Sequence, residues 1–282
     1  MTRTDRRGFL RRSIRAAGAL AVPAGLYTWL VEPEWLEFVE RELPVPGLPR
    51  DLSDRTLVQL SDLHIGSVDH DFLARTLERT SALVPDFVAF TGDFVTAGAE
   101  DTIARFRDLL PRFPHGRLGT AAVLGNHDYG FRWSSKKDAD AVIAAATEFG
   151  VPVLRNEPLS ARGLQFVGLD DLWSGRFDPA PAFAEADTGA ATIVLSHNPD
   201  TVDLPGLQAY AGWILCGHTH GGQCKPPFLP PPILPVENRR YTAGEFALSG
   251  DRRMYINRGV GHILRVRFNV RPEVTVFRLR RV

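Results

Sequence analysis

The chain has 282 residues, enough for one large domain, and its 44% apolar and 23% charged content describes an ordinary folded protein rather than a disordered or fibrous one. Its 33 basic and 33 acidic residues balance, but six arginines among residues 1–15, against the single acid Asp5, conceal a remainder with net charge of about −5. That leaves no basic stripe, so nucleic-acid binding is not expected, and two cysteines exclude both a disulfide scaffold and a thiolate-rich zinc site.

In chain order, Asp5-Arg6-Arg7-Gly8-Phe9-Leu10-Arg11 sets paired arginines before an apolar pair, and residues 16–31 are uncharged up to Glu32-Pro33-Glu34. Residues 1–34 read as a twin-arginine export signal or, if uncleaved, as an N-terminal anchor; an amphipathic basic helix is the other reading. Ala19-Leu20-Ala21 has the small-x-small form of a cleavage site. The expected location is the periplasm or the extracytoplasmic face of the membrane, with the twin-arginine translocon as partner during export.

Residues 35–45 read as an opening strand at a sheet edge. Apolar runs at 56–61, 87–91 and 120–124 alternate with helical spacing over 70–84, 100–110 and 136–149. That alternation predicts parallel strands joined by crossover helices. Further strands are expected at 150–154, 163–169, 190–195, 213–216, 253–257, 263–268 and 274–279, forming a second and mostly antiparallel sheet. Residues 225–236, Lys-Pro-Pro-Phe-Leu-Pro-Pro-Pro-Ile-Leu-Pro-Val, hold too many prolines for a helix or a central strand. They predict an extended loop that either lies flat over the core or displays Phe228, Leu229, Ile233 and Leu234 as a lipophilic rim. That loop and the N-terminal segment are the candidates for peripheral membrane contact.

Five of the apolar runs end in polar clusters. These are Ser61-Asp62-Leu63-His64, Thr91-Gly92-Asp93, Gly125-Asn126-His127-Asp128, Ser196-His197-Asn198-Pro199 and Cys216-Gly217-His218-Thr219-His220. Beyond the carboxyl ends of strands is where open α/β sheets gather ligands. Asp, Asn and His without thiolates suit divalent Mn, Fe or Zn. The donors are too many for one ion, so two divalent metal ions are expected, with Asp93 offering one carboxylate oxygen to each. Any one of these histidines alone reads as a packed turn residue; five of the eight falling in the clusters point to a site. His70, His115 and His262 read as surface or helix-start residues. Cys216 and Cys224 either pair or stay reduced with Cys216 buried.

The ordered set Asp-x-His, Gly-Asp, Gly-Asn-His-Asp, lone His and Gly-His-x-His, over residues 55–265, resembles the calcineurin-like metallophosphoesterase superfamily. With Asn257-Arg258-Gly259-Val260-Gly261 and the export signal it is similar to that superfamily's small bacterial twin-arginine-exported, phosphodiesterase-like branch. The resemblance implies a single domain over residues 35–282. Its fold class would be α/β, a four-layer α-β-β-α sandwich of two packed mixed sheets flanked by helices, with the metal site at strand carboxyl ends. It implies Asp62, His64 and His220 on one metal, Asn126, His197 and His218 on the other, and Asp93 between them. His127 would be the catalytic, non-ligand histidine that protonates the leaving group, while a metal-bridging hydroxide attacks phosphorus.

One departure bears on the substrate. Asp93 is followed by Phe94-Val95-Thr96-Ala97, where the protein-phosphatase branch has a second Asp and an Arg that support the histidine and the phosphate. Protein phosphatase activity is therefore not expected, and Asp128 is a candidate to orient His127. Asn126 and Arg258 are candidates to bind substrate, Arg258 being equally readable as an ion-pair residue. Trp133 and Trp173 either approach the substrate or plug loops. The expected activity is hydrolysis of a phosphodiester or pyrophosphate, including a lipid-linked or cell-envelope one. The alternatives are a broad-specificity phosphomonoesterase and a non-catalytic metal-dependent interaction module.

Overall fold

The computed structural model describes residues 22–99 and 101–282. Arg6 and Arg7, the expected cleavage site at 19–21 and Glu100 lie outside the described residues. The first half comprises β1 (Glu37–Val45), β2 (Thr56–Leu60), α1 (His70–Ser81), β3 (Phe87–Thr91), α2 (Thr102–Leu109), β4 (Gly119–Val123), α3 (Lys136–Glu148) and β5 (Val153–Leu154). The second comprises β6 (Glu157–Ala161), β7 (Leu164–Gly168), α4 (Pro179–Glu185), β8 (Ala191–Leu195), β9 (Gly212–Cys216), β10 (Gly244–Ala247), β11 (Arg252–Ile256) and β12 (Glu273–Arg281).

The helices begin where the sequence supplies caps. Asp69 accepts the Phe72 N–H at 2.8 Å ahead of α1, and Ser135 accepts the Asp138 N–H at 3.2 Å ahead of α3. α1 then buries Phe72, Leu73, Thr76, Leu77 and Thr80, a helical stripe, against the first sheet.

That sheet has the order β1-β12-β2-β3-β4-β5, with β2 to β5 parallel. β1, expected at a sheet edge, is there, paired in parallel with β12. The second sheet has the order β10-β11-β9-β8-β7-β6. Its inner strands β11, β9, β8 and β7 run parallel, and only the two edge strands are antiparallel. The expectation of a mostly antiparallel sheet is thus corrected. α4, a 3-10 turn at Pro199–Asp203 and the long stretch at 217–243 act as crossovers that a helix-period pattern does not reveal.

Residues 263–268 are not a strand either: the segment makes one bridge, Phe268 to Cys224, and leaves Ile263 and Leu264 exposed. Three elements went unforeseen. β6 carries Pro158 and β10 is short, both being edge strands, and α4 is a seven-residue helix opened by Pro179 and the Asp178 cap.

Alternate residues along each strand fill different layers. Between the sheets lie Leu57, Phe87, Ala89 and Val123 against Phe166, Ile193, Leu195, Trp213 and Leu215. Val58, Leu60, Val88 and Phe90 face α1, α2 and α3 through Leu73, Leu77, Phe106, Leu109 and Val142. Val167, Val194, Ile214 and Met254 pack outward on Ala182, Val202 and Tyr241. The result is two mixed sheets flanked by helices, with each buried aliphatic or aromatic side chain contributing about 1.5–3 kcal/mol. Gln59 crosses between the sheets beneath the strand ends, donating to Thr91 Oγ1 at 3.0 Å and the Cys216 carbonyl at 2.9 Å.

The N-terminal segment is tied to the body: Arg267 N–H donates to the Thr28 carbonyl at 3.0 Å, and buried Glu32 accepts the Val270 N–H at 2.7 Å. Among the described residues no helix is long and apolar enough to cross a membrane. Both cysteines are free, Cys216 buried at the end of β9.

Candidate metal centre

All five clusters emerge at the carboxyl ends of β2, β3, β4, β8 and β9, where the two sheets meet. Strand ends become ligand-bearing turns because the backbone reverses within two residues. Asp62, His64, Asp93, His218 and His220 take φ values of +53, +48, +54, +69 and +49°. Left-handed backbone at a non-glycine residue costs about 1–3 kcal/mol and persists only where its surroundings impose it. The neighbouring glycines make that possible by admitting close contact. A Cβ at Gly125 would collide with Asp93 Oδ1, and one at Gly217 with Ser61 Oγ and Asp62 Oδ2.

Two groups of side chains carry the expected ligands, and a third joins His127 to His64 and Asp93. Asp62, His64 and His220 are one: His220 Nε2 lies 3.2 Å from Asp62 Oδ1 and 3.0 Å from His64 Nε2. Asp93, His197 and His218 are the other: His197 Nε2 lies 3.2 Å from Asp93 Oδ2 and 3.1 Å from His218 Nδ1. Asp93 Oδ2 is also 3.6 Å from His64 Nε2, so one oxygen faces both groups. Its Oδ1 accepts the His127 N–H at 2.8 Å. The expectation of one Asp93 oxygen per metal is revised accordingly.

Backbone carbonyls set the rings. His197 Nδ1 donates to the Thr91 carbonyl at 2.7 Å and His218 Nε2 to the Pro235 carbonyl at 2.8 Å, which leaves His197 Nε2 and His218 Nδ1 as lone-pair donors facing inward. Asp62 accepts the His218 N–H with both oxygens at 3.1 Å, fixing one group against the other. Burial disfavours the Asp93 carboxylate, yet His197 and His127 hold its carboxyl well below the usual range. Asp62 is likewise held low, by His220 against its burial. Burial also opposes charge on His197, but Asp93 outweighs it and lifts that imidazole to about 10. Burial, with His197 beside it, lowers His218 to about 3. The two buried carboxylates thus favour positive charge at this site.

The donors fit divalent cations better than they fit protons. Ring nitrogens 3.0–3.1 Å apart compete for the same space, and the Asn126 Oδ1 is buried with no hydrogen-bond partner. Two carboxylates, four imidazoles and one amide oxygen suit a dinuclear divalent metal site. Bound there, such ions supply Lewis-acid stabilisation of a phosphoryl oxygen and acidify water.

His127 sits half-buried beside this cluster, its ring edge against His64 with centroids 4.9 Å apart. The Ala97 N–H donates to His127 Nδ1 at 3.4 Å. Asp128 does not orient it. Its oxygens accept the Gly125 and Val95 N–H groups at 2.8 and 3.1 Å, and burial, with Asp93 nearby, raises its carboxyl to about 8.

Arg258 is also placed differently from the substrate-binding expectation. Its Nε donates to Glu273 and its Nη2 to Glu37 at 2.9 Å, so two carboxylates hold the guanidinium away from the site. His262 is corrected from a surface residue to a buried one with both ring nitrogens unpartnered. His70 begins α1 and pairs with Asp108 at 2.9 Å, and His115 is exposed, as expected.

A cavity of about 350 Å³ opens onto the cluster, lined on its polar side by Asp93, Asn126, His127, His218 and His220. Its other walls are apolar: Trp133, Trp173, Ile233, Ile263, Leu264 and Val266. Trp173 packs edge-on against His218 at 4.4 Å and lies tilted against Trp133 at 4.6 Å, so both tryptophans approach the site. No lysine or arginine lines the cavity among the described residues.

The fold and these donors define a metal-dependent α/β hydrolase. The chain belongs to the calcineurin-like phosphoesterase family, whose model matches residues 55–222, and phosphoric ester hydrolysis is its class of activity. It is 32% identical to phosphodiesterase YaeI of Escherichia coli, over 98% of this chain and 99% of that one. It is 30% identical to the UDP-2,3-diacylglucosamine pyrophosphatase LpxG of Chlamydia trachomatis, over 92% and 94%. It is also 32% identical to the uncharacterised metallophosphoesterase YkuE of Bacillus subtilis, over 99% of both chains.

Proposed function

We propose that this protein is an exported dinuclear phosphoesterase, manganese, iron or zinc dependent, that cleaves a phosphodiester or pyrophosphate carrying a lipidic group. Residues 1–34 serve as its export signal or anchor and residues 35–282 as its catalytic domain. Asp62, His64 and His220 hold one ion, Asn126, His197 and His218 the other, and Asp93 joins them. The imidazolium form of His127 gives a proton to the departing oxygen and is left as the neutral ring.

The observation that carries the choice of substrate is the cavity wall. A monoester dianion needs cationic partners, and the cavity supplies none beyond the metals, since Arg258 is held by Glu37 and Glu273. A diester or pyrophosphate linkage, with a single charge on each phosphorus and an apolar group attached, matches the two tryptophans and the aliphatic wall. The names of YaeI and LpxG support the same reading, LpxG acting on a diacylated sugar nucleotide. Paired arginines ahead of an uncharged stretch support export, and a bilayer-facing enzyme would meet its substrate there.

Turnover of bis(p-nitrophenyl) phosphate and p-nitrophenyl phosphate by the metal-reconstituted protein tests this reading. At least about tenfold preference for the diester, roughly 1.4 kcal/mol in the transition state, is expected. A preference for the monoester would favour the phosphomonoesterase alternative. Binding two metals without hydrolysing either would favour the interaction module.

A further inference from the structure

Two wall segments of the cavity, 263–266 and the root of the proline loop, hydrogen-bond side by side with a helical stretch outside it. Arg267 N–H donates to the Thr28 carbonyl at 3.0 Å, Phe268 N–H to the Gln223 carbonyl at 2.9 Å, and Lys225 N–H to the Phe268 carbonyl at 2.8 Å. The helical stretch at 22–31, the loop at 263–268 and the root of the proline loop therefore share one edge. Along that edge apolar side chains stand in water: Leu26, Trp29, Leu30, Phe228, Leu229 and Leu264 are all exposed, Phe228 completely.

Phe228 also has φ +66°, so both its exposure and its backbone are unfavourable in water. It is not free to fold back, because the proline loop is tied at both ends. Lys225 is fixed as above, and the Glu237 and Asn238 N–H groups donate to the Asp200 carboxylate at 2.8 and 3.1 Å. Leu234 turns inward and is buried, while Ile233 next to it is exposed and lines the cavity. Ile263 and Leu264 likewise belong both to the outer edge and to the cavity wall. The outer patch and the apolar side of the metal site are one continuous surface.

We propose that this edge docks on a lipid bilayer, with the helical stretch lying in the interface and the proline-loop tip inserted. Ile233 and Leu264 then lead from the hydrocarbon to the metal centre. The inference rests on the reading of the site as a hydrolase of lipidic phosphoesters and names where that enzyme meets its substrate. A bilayer fits the patch for three reasons. Among the described residues no helix is long and apolar enough to cross a membrane, yet residues 22–31 expose Leu26, Trp29 and Leu30. The same edge carries an exposed tryptophan and an exposed lysine, Trp29 and Lys225, residue types favoured at membrane interfaces. The cavity that Ile233, Ile263 and Leu264 line from the patch also holds the metal donors.

The test is co-sedimentation of the full chain with phosphatidylcholine vesicles, which carry no net charge to attract the arginines of residues 1–15. Phe228→Ser/Leu229→Ser and, separately, Leu26→Ser/Leu30→Ser are compared with the unaltered protein. Turnover of soluble bis(p-nitrophenyl) phosphate is measured on every sample as the control for folding and for the metal site. The unaltered chain is expected to co-sediment, and each pair of substitutions to weaken partitioning by about tenfold or more while soluble turnover stays the same. Docking is overturned if the unaltered chain stays in the supernatant, or if the variants sediment as well as it does. A dimer in solution that the same substitutions dissociate, without vesicle binding, would make the patch a contact between copies and equally overturn it. Loss of docking with diester turnover intact would leave the phosphoesterase reading standing. Docking without any turnover would refute that reading alone.

Discussion

A single unpaired oxygen says much about the site. Asn126 Oδ1 is buried with no hydrogen-bond partner, which costs a folded chain about 1–3 kcal/mol unless something else satisfies it. A cation does, and a neutral ligand adds no negative charge to repel an arriving phosphate. Asn126→Ala should therefore lower metal affinity by about ten- to a hundredfold while leaving the metal-free protein as stable as before or more so. Metal titration and thermal unfolding in a chelator, measured together, check both halves. A large loss of stability without metal would mean that Asn126 holds the fold instead.

At the scale of elements, the turns after the strands carry the information, and their legibility in sequence varied with what holds them. Gly-Asp, Gly-Asn-His and Gly-His-x-His are readable because the glycines that allow close approach sit beside the donors. What fixes the rings is not readable. Thr91 and Pro235 act through carbonyls that every residue possesses, and Ala97 through an N–H. In the sequence the turn at 257–261 shows only as the run Asn257-Arg258-Gly259-Val260-Gly261. Its function is to brace Asp62: Val260 and Gly261 N–H donate to the Ser61 and Asp62 carbonyls.

Arg267 in turn holds that brace, its buried guanidinium donating to the carbonyls of Arg258, Gly259, Gly261 and Val270. Arg267 lies within 263–268, the segment expected as a strand, and is buried among those carbonyls. Arg267→Met should cost about 3 kcal/mol or more in unfolding free energy, because several buried acceptors lose their donor together. Denaturant unfolding of the metal-free variant reads it. A change under about 0.5 kcal/mol would show the brace to be held by other contacts.

For the whole molecule, the sandwich follows from period-two burial on strands whose two faces meet different neighbours. Parallel strands in the first half were legible because long amphipathic helices separate them. Those of the second sheet were not, because its crossovers are a short proline-led helix, a 3-10 turn and a loop. Edge strands such as β6 and β10 carry too few buried residues to stand out. Export belongs to this scale as well. Arg6→Lys/Arg7→Lys should leave the protein inside the cytoplasm, with its metals and its diester turnover intact. Fractionation of cells expressing both forms checks it, and undiminished export of the lysine form would refute the twin-arginine route.

The central claim is a dinuclear phosphoesterase in which Asp93 joins the two ions and His127 supplies a proton without holding either. Metal content and bis(p-nitrophenyl) phosphate turnover of the unaltered chain, Asp93→Ala and His127→Ala, measured on the same preparations, test it most directly. The account predicts two metals in the unaltered chain and fewer in Asp93→Ala, with activity lost. His127→Ala should keep both metals while kcat falls by about a hundred- to ten-thousandfold. Full metal content with undiminished turnover in either variant would contradict it.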